Sequence, residues 1–271
     1  MTHRLPFPRL ATLCAALLMG QACAAAESQE CGAAVLAPLG RALKVAHFAP
    51  SPYDDGKDPA GVIVASSCKR MPDDPKLTLA AVGWKTHKED TKGLAVAIVD
   101  ESTQAVVALE QDEFDEDAST TMNNGSLRLD TAPYQLAPGV RAFGVDFSGD
   151  EQGCGDGSMG PQRTLYVREG RTLRPVMEGL GIAASAYLRG NQPRCVSDPH
   201  EAETAILESY DVTIALGSAG KDGWRDLLLT VTPHRYDHKP SRLKPLHVRV
   251  PYDGKSYSLE AFRNAYQRWR Q

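Results

Sequence analysis

The chain is a succession of short apolar runs, each cut off by turn residues, and this punctuation limits the folds open to it. Residues 61–65 (GVIVA), 94–100 (LAVAIVD), 105–110 (AVVALE), 140–147 (VRAFGVDF), 210–216 (YDVTIAL) and 226–232 (DLLLTVT) are strand-like in length and composition. Residues 76–84 (KLTLAAVGW), 126–130 (SLRLD), 163–169 (RTLYVRE), 172–177 (TLRPVM) and 246–252 (LHVRVPY) join them. Residues 101–104 (ESTQ) and Gly170-Arg171 are expected hairpin turns, and a proline-containing link separates 126–130 from 140–147. The pattern predicts a mainly β fold, a propeller-like or sandwich arrangement of short antiparallel strands. Helix signals are few. Residues 32–45 can form one short helix, and residues 258–271 (SLEAFRNAYQRWRQ) a C-terminal one behind the cap Ser258. Leu259, Phe262, Tyr266 and Trp269 recur there at helical spacing, as expected of a helix that closes the fold by laying an aromatic stripe on a sheet. A partner-docking helix is the alternative.

The first 26 residues have the layout of a secretory leader. Arg4 and Arg9 precede the apolar run 10–19 (LATLCAALLM), and small residues follow at 22–26. The run is shorter than the roughly 20 residues a spanning helix needs. Residues 1–26 are therefore expected to be a signal peptide and 27–271 a single β-rich domain in the periplasm or outside the cell. Lipidation at Cys23 is the competing reading, with Gly20 standing against it. The whole chain has a net charge of −4, and the leader holds two arginines and no acid, so residues 27–271 carry −6. A mildly acidic monomer is expected, without the basic footprint that nucleic acid requires. Cys31, Cys68, Cys154 and Cys195 remain after the leader, an even number that suggests two disulfides in an exported protein. Sequence alone leaves three pairings open. The sequential one, Cys31–Cys68 and Cys154–Cys195, is expected because each bridge closes a moderate loop. No pair has CxxC spacing, so zinc is not expected.

Residues 218–227 (SAGKDGWRDL) follow part of a calcium-loop pattern. Asp222, Gly223, Asp226 and Leu227 match, whereas Ser218 and Gly220 replace two oxygen ligands. Lys221 and Arg225 dilute the negative charge that calcium needs, so Ser218, Asp222 and Asp226 make at best a weak cation site, and a glycine-centred turn is the plainer reading. Downstream, residues 252–257 (YDGKSY) are an Asp-Gly turn flanked by tyrosines. The combination of GWRDLLL and YDGKSY, over about residues 210–260, resembles a blade of the VCBS/FG-GAP-like β-propellers. That group includes periplasmic inhibitors of peptidoglycan-cleaving enzymes, so the resemblance implies an exported binding protein. The remainder resembles exported bacterial proteins of unassigned function.

Catalytic signals are weaker. Residues 156–160 (DGSMG) depart from the GxSxG elbow at its first glycine, and a strand follows where a helix should. His234 and His238 have the i, i+4 spacing of a helical zinc pair, but Pro233 and Pro240 flank them. The strongest charge feature is 110–117 (EQDEFDED). Such a run is ordinarily a solvated loop. The alternative is that Asp112, Glu113, Asp115 and Glu116 steer a basic wall-degrading enzyme, with Phe114 as anchor. The sequence reading is thus an exported binding protein, an inhibitor or immunity protein against a cell-wall-degrading enzyme. No cofactor is needed, and calcium is at most a weak ligand. A calcium-linked or wall-carbohydrate binding module and a hydrolase centred on 149–161 are the alternatives.

Overall fold

The computed structural model describes residues 30–50, 59–117, 120–149, 157–158, 160–187, 207–235 and 237–270. Helix α1 (Ala33–Leu43) is followed by strands β1 (Ile63–Arg70), β2 (Leu77–Lys85), β3 (Thr91–Asp100), β4 (Ala105–Asp115), β5 (Leu127–Ala137), β6 (Val140–Phe147), β7 (Gly157–Ser158), β8 (Gln162–Glu169) and β9 (Thr172–Gly181). Strands β10 (Ala183–Tyr187), β11 (Leu207–Ala219), β12 (Arg225–Arg235) and β13 (Leu246–Val250) precede helix α2 (Glu260–Arg270). The fold is mainly β with a C-terminal helix. The strands sort into two sheets, ordered β1-β2-β3-β4-β9-β8-β6-β5 and β13-β12-β11-β10-β7.

The larger sheet is two antiparallel meanders joined by one parallel bridge, Leu109 to Thr172, where the Leu109 N–H donates to the Arg171 carbonyl at 3.1 Å. Its outer strands β1 and β5 approach each other, so the sheet nearly closes. Leu79, Ala81, Val96, Ile98, Leu129 and Phe143 fill the interior. The alternate residues Ala80, Val82, Ala97 and Val99 face outward, beneath Val35, Leu36 and Leu39 of α1. Strands buried on both faces lose clean alternation, which explains the nearly continuous apolar runs in β2 and β3. Trp84 lies across its partner Gly93: a Cβ at that position would sit 2.1 Å from the indole.

The disulfide Cys31–Cys68 forms, with its Cα atoms 5.0 Å apart, and ties the start of α1 to β1. Cys154 and Cys195 lie outside the described residues. Pro38 sits inside α1 and cannot donate to the Ala34 carbonyl four residues earlier. Gln104, in the β3–β4 turn, donates its side-chain amide to that carbonyl at 3.3 Å.

The expected proline link before β6 is instead strand. β5 runs through Pro133 with its register shifted between Asp130 and Tyr134, and Asp130 accepts the Ala132 N–H at 2.9 Å. Near this bulge lies the most heavily paired ion cluster on the larger sheet. Arg163 donates Nε to Asp146 Oδ1 at 2.6 Å and Nη2 to Oδ2 at 2.8 Å, and Nη1 to the Tyr134 hydroxyl at 2.9 Å. Arg163 also pairs with Asp130, whose Oδ2 accepts the Tyr134 hydroxyl at 2.7 Å. Burial disfavours the guanidinium charge, but the bond to Asp146 and its charge outweigh this and hold Arg163 above its ordinary value. With every member satisfied, the cluster is a structural brace.

Beyond β9 the chain passes from one sheet to the other at Ile182, whose N–H reaches the Pro161 carbonyl at 2.9 Å and whose carbonyl accepts the Val212 N–H at 2.8 Å. The second sheet and α2 pack on the far side of the second meander. Leu136, Leu165, Val176, Met177 and Leu180 meet Leu227, Leu229, Val231, Leu259 and Phe262 in one core. β10 (AASAY) escapes sequence reading because its small residues carry little strand signal.

Candidate functional site

Three places gather chemistry. The first is the acidic run, which is strand rather than loop: β4 pairs with β3 over its whole length, from Ala105 to Asp115. β9 meets it at Leu109 alone, so from Glu110 to Asp115 no strand among the described residues covers the other edge. Phe114 is not a free anchor, because its ring packs 4.6 Å from that of Phe147 against the interior core. Glu116 is also built in. It receives Lys92 Nζ at 2.5 Å, with both side chains largely buried, and the Met122 N–H at 2.7 Å. Asp112, Glu113 and Asp115 remain on the surface. Asp112 accepts the Glu113 N–H at 2.8 Å, Glu113 pairs with exposed Lys88 at 2.7 Å, and Asp115 accepts the Thr91 hydroxyl at 2.9 Å. Burial, then the charge of Asp112, pushes the Glu110 carboxyl above the usual range. Burial, then Glu110, Glu178 and Asp112, pushes the neighbouring Tyr166 phenol up as well.

The second place is the β11–β12 hairpin with the turn that follows β13. Residues Lys221–Gly223 form one 3-10 turn in which Asp222 has φ 65°, and the Gly220 N–H closes the loop on the Trp224 carbonyl at 2.6 Å. Of the three residues read as a weak cation site, Ser218 and Asp222 lie exposed on the hairpin. The buried carboxylate of Asp226 is taken by Arg249 Nε at 2.5 Å. Among the described residues no group of three His, Cys, Asp or Glu side chains is placed to hold a metal ion. The hairpin does bring together the two motif segments singled out above. The Trp224 ring stacks on Tyr252 at 4.0 Å and 5°, and the Tyr257 hydroxyl donates to the Arg225 carbonyl at 2.7 Å.

The third place was not legible beforehand. A hollow of about 310 Å³ lies between α2 and the β8–β9 end of the larger sheet. Leu180, Leu259 and Phe262 give it an apolar base, with Tyr210 and Tyr266 as ring walls. Gln162, Arg263 and Gln267 supply its polar side chains, and Gly179 and Gly181 line it without side chains. Tyr266 stands between Tyr210 and Phe262, at 5.0 and 6.1 Å. Its hydroxyl is buried and makes no hydrogen bond of ordinary geometry among the described residues, with the Tyr210 phenol and Arg270 beside it. Burial, then the neighbouring Tyr210 phenol, pushes the Tyr266 phenol above its ordinary range. The aromatic stripe was visible as one face of a helix, but nothing in the sequence places Gln162 or Gly181 opposite it.

Most of 149–161 lies outside the described residues. Ser158 is in β7, and β10 and β11 separate it from His234 in β12, about 14 Å away at ordinary strand spacing. His234 instead pairs with Asp211 at 3.2 Å on the exposed surface. No helix among the described residues is long and apolar enough to cross a membrane. No family model matches the chain, and no curated protein or solved structure matches it either.

Proposed function

We propose that the chain is an exported binding protein that captures a basic partner along the acidic free edge of β4. A cell-wall-degrading enzyme is the partner class expected in that compartment. One observation carries this reading. Between Glu110 and Asp115 the strand pairs on one side only among the described residues, and Asp112, Glu113 and Asp115 are displayed along it. An open edge offers main-chain hydrogen bonds to an added strand, and its carboxylates select and steer a cationic one. The acidic balance of the chain and its leader-like first segment agree with it.

The test is binding of residues 27–271 to a basic lysozyme-like enzyme at several salt concentrations. Reversing Asp112, Glu113 and Asp115 to lysine should weaken binding by about tenfold or more and flatten its salt dependence. Glu116 is left intact because it balances buried Lys92. Unchanged affinity and an unchanged salt slope would remove the proposal.

A further inference from the structure

We propose that the hollow beneath α2 is a second binding site, for a small organic carboxylate with an apolar or aromatic body. This inference is independent of the β4 edge. The volume of about 310 Å³ lies at the lower end of the range for small-ligand sites, roughly 300–1,000 Å³. Leu180, Leu259, Phe262 and the Tyr210 and Tyr266 rings offer a surface that favours an apolar body.

The polar groups supply the other half. No carboxylate lines the hollow among the described residues. Arg263 is exposed and enters no ion pair among the described residues, and its guanidinium geometry suits a carboxylate. Gln162 and Gln267 add amide donors. The charge around the hollow also runs against the rest of the chain. α2 carries Arg263, Arg268 and Arg270 against Glu260, in a protein of net charge −4. Space is left open as well: a Cβ added at Gly181 would meet no atom within 4 Å, and the backbone there is not left-handed. Nothing local in the folded chain requires glycine at that position.

Titration of the full chain with 3-phenylpropionate, followed by amide NMR, tests the site. The expected result is saturable shifts at Gly179, Gly181 and Tyr210. Arg263→Gln should weaken binding by about tenfold or more, the effect of losing one charge-assisted hydrogen bond, and Arg263→Lys should restore part of it. 3-Phenylpropan-1-ol, which has the same body without the charge, should bind the native chain about as weakly as the acid binds the Arg263→Gln variant. Absence of saturable shifts, or equal affinity of the native and Arg263→Gln chains, overturns the proposal. Tighter binding of glucuronate than of 3-phenylpropionate overturns the apolar body. An unchanged melting temperature for Arg263→Gln shows that any loss is local.

Discussion

The two halves of the larger sheet are covered in opposite ways. Over β1–β4 the cover is a short helix pinned by a disulfide, and the strands beneath it are rich in alanine and valine. Small side chains let layers approach closely and leave little to adjust. Over β5, β6, β8 and β9 the cover is a second sheet and α2, and rings carry much of the contact: Trp224 on Tyr252, and Tyr266 among Tyr210, Phe262 and Trp269. Large flat groups bury much area but tile imperfectly. Among the described residues, the hollow beneath α2 lies in the half covered by rings. The hollow proposed to take a ligand lies where the cover is built from bulky pieces.

Removing the tie should have the largest effect. Paired Cys31→Ser and Cys68→Ser replacements are expected to cost about 4 kcal/mol, chiefly by freeing the unfolded chain, and urea unfolding measures the loss. A loss well under 1 kcal/mol would mean that the helix cover holds without its bridge and would blur the contrast. Next comes Phe262→Ala, expected to cost about 3 kcal/mol because it removes a buried ring where α2 meets the core. Calorimetry should show that loss even with the disulfide intact, which would sharpen the distinction between the two covers.

The smallest effect concerns acid. Backbone N–H groups of Ser256 and Lys255 hold the Asp253 carboxyl below the usual range. A lowered folded pKa gives a contribution that is present above the unfolded value, about 3.9, and lost as pH falls through the folded one. Asp253→Asn should therefore lower the neutral plateau of a plot of melting temperature against pH slightly and flatten its acid limb, so that the two chains converge at low pH. An unchanged acid limb would show that the turn does not depend on that charge.

What could be read beforehand follows from how local each feature is. Hairpins such as β3–β4 and β8–β9 were legible because strand and turn signals lie within a few residues of each other. Sequence left three cysteine pairings open; Cys31–Cys68, one bridge of the sequential pairing expected from loop length, is the one that the described residues show. The run 110–117 was expected to be loop because its charges mask strand pattern, yet pairing with β3 sets its conformation and Lys92 supplies the buried counterion. Pro133 suggested a break, but a bulge on the sheet's outer strand accommodates it without breaking β5. The hollow was beyond reach, since Gln162 and Tyr266 come together only after two sheets and a helix have packed.

The bridge between Leu109 and Thr172 has a consequence for how the molecule assembles. Within each meander, β1 to β4 and β5, β6, β8 and β9, each strand pairs with the next of its set along the chain, so their loops close quickly. The bridge instead brings together residues far apart in the chain, and it offers one rung of pairing in return. Folding should therefore raise two independent ribbons first and zip them together late, with the approach of β1 to β5 completing the ring.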